Sequence, residues 1–137
     1  MINLKRYCEK KGRFTEPFFY NMATYTTNGH WLIKLHSYYN PTYKKNPVPE
    51  SIDRILGILE ETRGWVYTLC PEFKEPAVGG VHIYNGVDPK LYINGMYFVK
   101  SHLMVLKELP LFAINPYATE GHLHFKFYGG EGILKEI

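Results

Sequence analysis

Aspartate is nearly missing from this chain, present only as Asp53 and Asp88 among 137 residues, and cysteine is as sparse, at Cys8 and Cys70. So few carboxylates of the shorter kind give no sign of an aspartate-based catalytic cluster. Two cysteines without a CxxC or Cys/His spacing do not signal a zinc module or a disulfide framework, so both are read as free thiols. No GxSxG elbow is present and neither cysteine sits in a catalytic context, so nothing marks an enzyme. No run of roughly 18 apolar residues occurs, which argues against a transmembrane helix. The opening Met1-Ile2-Asn3-Leu4-Lys5-Arg6 is not followed by an apolar signal core, and a cytoplasmic location with no membrane partner is the expectation. A formal net charge of +3 is too small to identify a nucleic-acid binder by itself.

What the chain has in quantity is aromatic and apolar character. Apolar residues make up 45% and aromatics 16%, with 12 Tyr and 8 Phe, which favours strands and argues against disorder. The length fits one domain, 1–137, with enough residues to bury a core unaided. Positive charge is concentrated early. Lys5, Arg6, Lys10, Lys11 and Arg13 against Glu9 leave +4 in the first thirteen residues.

One unit is written twice. A helix-like segment over Ile2 to Lys11, ended by Gly12, precedes a strand from Phe18 to Thr26, a turn at Thr27-Asn28-Gly29 and a second strand from Trp31 to Leu35. Leu4, Tyr7 and Cys8 share one side of that helix, and Asn28-Gly29 tolerates the positive φ of a tight two-residue turn. A second helix-like segment, Tyr97 to Leu109, is stopped by Pro110. It precedes a strand from Leu123 to Tyr128, a turn at Gly129-Gly130-Glu131-Gly132 and a strand from Ile133 to Ile137. Between the copies, three prolines make His36 to Ser51 a loop. Ser51 is placed to cap a helix carrying Ile52, Ile55, Leu56 and Leu59, closed by Arg63-Gly64. Short strands follow at Trp65 to Leu69, Val81 to Tyr84 and Leu91 to Ile93, with Asn85-Gly86 and Asn94-Gly95 as turns, and Leu111 to Ile114 forms one more before Asn115-Pro116. The pattern predicts an α+β fold: antiparallel sheet with two to three helices packed on one side and a pseudo-twofold repeat.

The candidate chemistry is modest. His122 and His124 share a strand face and suit a metal in pairs, but no third ligand accompanies them, so no metal or other cofactor is expected and solvent-exposed strand histidines are the reading. The glycine turn lies between two strands, not before a helix N-terminus, so it is structural rather than phosphate-binding. Glu60-Glu61 reads as a solvated helix end, because helix neighbours point about 100° apart. Two basic features remain. Lys5, Arg6, Lys10, Lys11 and Arg13 fit one helical edge that meets DNA phosphates. Tyr38, Tyr39, Tyr43, Lys44 and Lys45 mix rings with cations in a loop, which suits either stacked bases or a protein partner.

The stretch Ala23-Thr24-Tyr25-Thr26-Thr27-Asn28-Gly29-His30-Trp31-Leu32-Ile33 resembles the strand-turn-strand of bacterial sliding-clamp domains, with Asn28 at the usual Asp and Trp31 at the usual Arg. The C-terminal Leu91 to Asn94, helix and Phe125 to Leu134 resemble small clamp-like proteins of phages and prophages. The resemblance implies two pseudo-equivalent halves and a non-enzymatic role in DNA metabolism, through DNA or a replication partner, with the basic first segment facing DNA. One such domain would have to form a homo-oligomer to close a ring. The Tyr97 to Leu109 segment, with only Lys100 and Lys107 against Glu108, departs from a uniformly basic inner surface. The rival expectation is a small phage or prophage factor that binds and inhibits a host or defence protein and keeps the fold without the ring.

Overall fold

The computed structural model describes residues 2–36, 40–57, 66–67, 82–84, 90–93, 96–119 and 121–137. In chain order the elements are a 3-10 turn at Leu4–Tyr7, β1 (Phe18–Tyr20), β2 (Ala23–Thr27), β3 (Trp31–Leu35), β4 (Lys44–Lys45), α1 (Glu50–Gly57), β5 (Val66–Tyr67), β6 (His82–Tyr84), β7 (Lys90–Ile93), β8 (Met96–Val99), α2 (Lys100–Leu106), β9 (Ala113–Thr119), β10 (His122–Phe127) and β11 (Gly130–Lys135). Strand dominates and helix is sparse, an α+β composition. The chain divides into two compact units, one of Met1–Glu61 with Gly129–Ile133, the other of Thr62–Tyr128 with Leu134–Ile137.

In the first unit the strands run in the order β4-β1-β2-β3, with the start of β11 beside β3. β1, β2 and β3 are antiparallel neighbours, whereas β4 lies parallel to β1, so the sheet is mixed. The expected single strand from Phe18 to Thr26 is in fact a hairpin. Tyr20 faces Ala23, and the two residues between them, Asn21 and Met22, have φ of 46° and 64°. Positive φ at both central positions is the type I′ turn, whose twist matches that of the flanking strands. The next turn is wider than the two residues expected, since Thr27 pairs with Leu32. Asn28 Oδ1 closes it by accepting from the His30 and Trp31 N–H groups at 2.9 and 3.1 Å.

Phe18, Tyr25 and Lys34 are cross-strand partners and therefore share a face. The Phe18 and Tyr25 rings stack at 5.5 Å. Trp31, Ile33 and Leu35, on the opposite face of β3 from Lys34, are buried as well, as are Val48 and Leu56. Trp31 donates its indole N–H to the Tyr7 carbonyl at 3.0 Å, which pins the N-terminal segment to the sheet.

That segment is not the helix expected over Ile2 to Lys11. Only Leu4–Tyr7 is helical, and as a 3-10 turn. The Cys8 N–H bonds to the Lys5 carbonyl, three residues back, and the Glu9 N–H is taken by Phe14 O at 2.9 Å. With that donor used across the turn, the i to i−4 ladder cannot propagate. Lys10, Lys11 and Arg13 therefore lie in the bends that follow, not along one helical edge, and Gly12 supplies φ 116° there. The second helix also starts differently. Ser51 lies inside α1, and the Pro49 carbonyl accepts from Ile52 and Asp53.

In the second unit β6, β7 and β8 form an antiparallel sheet, and β10, β9 and β5 are neighbours in the other. The helix expected over Tyr97 to Leu109 is shortened to Lys100–Leu106, because Met96–Val99 pairs with Lys90–Ile93 instead. Phe98 points inward from that strand, and Leu103 and Leu106 from α2; all three are fully buried. The strand expected to stop at Ile114 runs to Thr119 through Asn115-Pro116. Between the pairs Leu123↔Thr119 and His124↔Asn115 the register shifts, and Pro116 falls in that irregularity, where its missing N–H breaks no ladder bond. The last turn is Tyr128-Gly129, with Gly129 at φ 103°, while Gly130, Glu131 and Gly132 are strand residues. Glu131 is buried. His124 is buried as well and His122 half-buried, which corrects the exposed pair expected from the sequence.

The expectations at Tyr38, Tyr39, Leu59, Glu60-Glu61, Arg63-Gly64, Cys70, Asn85-Gly86 and Asn94-Gly95, and at the strand ends Trp65, Leu69 and Val81, lie outside the described residues.

Candidate functional site

The bends after the 3-10 turn and the extended segment around β4 meet in the first unit and enclose a groove of about 490 Å³. One wall is Arg13 to Phe18, the other Thr42 to Asn46. The pairing of β4 with β1, Phe18 against Lys44 and Phe19 against Lys45, draws the second wall in. An Asx turn, in which Asn40 Oδ1 accepts from the Thr42 N–H at 3.0 Å, shapes the approach to it. Two features that the sequence offers separately, the early cations and the tyrosine-lysine loop, thus converge: Arg13, Tyr43, Lys44 and Lys45 line one cavity.

Arg13 is held from two sides. Its Nη2 donates to Asn46 Oδ1 at 2.8 Å, and its guanidinium carbon lies 5.3 Å from the centre of the Phe14 ring. Lys44 and Lys45 are exposed, and Tyr43 is half-buried. The groove has one carboxylate, Glu16, which pairs with Lys5 Nζ at 3.3 Å. The wall is thus basic in sum, and Lys5 acts there by offsetting Glu16 without lining the cavity. Arg6, Lys10 and Lys11 are exposed and do not line it.

A second polar cluster lies on the sheet face that carries Tyr25. The Tyr25 hydroxyl donates to Asp53 Oδ1 at 2.7 Å, and Lys34 Nζ approaches the same oxygen at 3.5 Å. The phenol's bond holds the Asp53 carboxyl below its ordinary value, against partial burial, with the Lys34 ammonium adding to the effect. Burial, and next the bond to Asp53, push the Tyr25 phenol far above its usual range, so it stays protonated as a fixed donor. Glu131 and His36 approach at 3.6 Å on the same unit. The arrangement ties α1 to the sheet: Asp53 belongs to the helix, Tyr25 and Lys34 to β2 and β3.

Cys8 is a buried free thiol whose Sγ lies 3.4 Å from the Leu4 carbonyl. Burial and then Glu16 push it up to about 11, against Lys5, which makes it a poor nucleophile. Among the described residues no group of three His, Cys, Asp or Glu side chains is placed to hold a metal ion, and no helix is long and apolar enough to cross a membrane.

Sequence reasoning missed Phe14, Asn46 and Glu16 as groove residues. Asn46 carries a signal only in retrospect, as a side chain preceding Pro47 in a stretch already rich in turns. The Tyr25–Asp53 bond spans 28 residues and leaves no local signal at all. Comparison with family models, curated proteins and solved structures returns no match for this chain.

Proposed function

We propose that this chain is a non-enzymatic protein of DNA metabolism that binds DNA along the groove between Arg13 and Lys45. The observation that carries the reading is the convergence of Arg13, Tyr43, Lys44 and Lys45 on one cavity of about 490 Å³. Three cations beside aromatic rings suit a polyanion whose bases can stack. The clamp-like architecture, with a pseudo-twofold repeat, belongs to the same proposal. Binding in a groove does not require a closed ring, however, and the shortness of the N-terminal 3-10 turn and of α2 favours the groove over an encircling helical surface.

Titration of a labelled oligonucleotide across salt concentrations tests the proposal. Log affinity should fall with log salt, and the triple substitution Arg13→Ala, Lys44→Ala, Lys45→Ala should weaken binding far more than Lys10→Ala with Lys11→Ala. Binding that is flat against salt, or absent at low salt, would overturn it.

A further inference from the structure

We infer that Asn46 is a positioning residue, which fixes the Arg13 guanidinium as a phosphate anchor in a groove built for single-stranded rather than duplex DNA. This rests on the groove reading proposed above and adds the class of strand and the device that reads it.

Asn46 is itself held at three points. Its backbone N–H donates to Phe19 O at 3.1 Å, its Nδ2 donates to the Pro47 carbonyl at 3.2 Å, and its Oδ1 accepts from Arg13. The amide is therefore referred to β1, through Phe19, and carries that fixed frame to Arg13, 33 residues away in sequence. Arginine offers five N–H donors in a planar fork, and the contact with Asn46 uses one. A fork whose plane is set by Asn46 and Phe14 presents its other donors without losing rotamer freedom on binding, which is where a guanidinium gains over an ammonium at phosphate. Lys44 and Lys45 on the opposite wall carry point charges on flexible stems. The two walls thus divide the work: Arg13 orients one phosphate, and the lysines neutralise its neighbours.

Tyr43 decides the class of strand. It is half-buried in the wall of Lys44 and Lys45, whereas the Phe14 ring is already engaged by Arg13 and by Phe18 at 5.4 Å. Base faces are available for stacking only where the strand is unpaired, because in a duplex each face is already covered by its neighbours. The cavity also falls in the size range of roughly 300–1,000 Å³ that encloses a small ligand's worth of atoms. A splayed nucleotide fits that description; a duplex would meet only the rim cations.

The test is a double-substitution cycle read by fluorescence anisotropy, using labelled oligothymidylate and the same strand annealed to its complement. Asn46→Ala should weaken single-strand binding about tenfold with the salt slope unchanged, since no cation is lost. Arg13→Ala should weaken it further and reduce the slope by about 0.7. In the Arg13→Ala background, Asn46→Ala should have no added effect. Equal effects of Asn46→Ala in both backgrounds would show that Asn46 acts independently of Arg13 and overturn the positioning role. Arg13→Lys, at an exposed site where folding is not at stake, should keep the slope and lose affinity; wild-type affinity would likewise overturn it. Duplex bound as tightly as the single strand overturns the strand class and leaves the groove standing. No binding of either form by the wild type defeats the underlying proposal instead.

Discussion

Tyr25 and Asp53 show what one buried hydroxyl does for this molecule. The phenol is fully buried and has Asp53 as its acceptor, so Tyr25→Phe removes the donor and leaves the carboxylate with less support. A loss of about 1–2 kcal/mol is expected, read as a lower urea midpoint at neutral pH. The pH dependence follows from the direction of the Asp53 shift. Because its folded value lies below the unfolded value of about 3.9, its contribution is complete above that pH and disappears as pH falls through the folded value. The gap between wild type and Tyr25→Phe should therefore close in acid; a gap constant from pH 7 to 2 would contradict the assignment. Cys8 provides a second residue-scale prediction. With its thiol pushed up to about 11, alkylation of Cys8 at pH 8, followed by peptide mass mapping, should be slow in the folded protein and fast in denaturant.

At the scale of elements, local pattern was legible where one partner decided the outcome and misleading where two competed. Trp31, Ile33 and Leu35 fall on one face at strand spacing, His122 to Phe127 alternates polar with apolar residues, and both segments are strands. The segment Tyr97 to Leu109 carries a good helical stripe, yet its first three residues belong to β8 because β7 offers a complete set of backbone partners. Leu4, Tyr7 and Cys8 also have helical spacing. Tyr7 and Cys8 are indeed buried, but the Glu9 N–H bonds across to Phe14 O and the turn stops. The Asn21-Met22 turn was hidden because methionine is an unusual occupant of a positive-φ site. Met22 is 87% exposed, so its side chain contributes little packing to offset the backbone strain. Met22→Gly should raise stability by about 0.5–1 kcal/mol, seen as a higher melting temperature. Leu103→Ala, at a fully buried position of α2, should cost about 2–5 kcal/mol in the same measurement.

For the whole molecule the charge balance is the governing quantity. A net +3 spread evenly would attract a polyanion weakly, whereas three cations on one groove should give a salt slope near −2 for a single strand. Glu16→Gln removes the groove's carboxylate and should tighten binding while steepening no part of the slope; weaker binding after that change would mean that the Lys5–Glu16 pair supports the site. Of the candidate site, the residue types were legible in the sequence and their grouping was not. Lys5, Arg6, Lys10, Lys11 and Arg13 read as one edge, and Tyr43, Lys44 and Lys45 as another loop. Arg13 instead joins the second set, through Asn46.

The sequence by itself determined the α+β composition, the run of strands at each end, the free thiol at Cys8 and the early excess of positive charge, because these depend on composition and on neighbours a few residues apart. Tertiary structure alone decided that the first basic segment is helical only over Leu4–Tyr7, as a 3-10 turn, that Met96–Val99 is a strand, that Glu131 and His124 are buried and that Arg13 lines one cavity with Lys44 and Lys45. Each of those depends on a backbone or side-chain partner far along the chain, whose hydrogen bond or contact outweighs local propensities of well under 1 kcal/mol per residue.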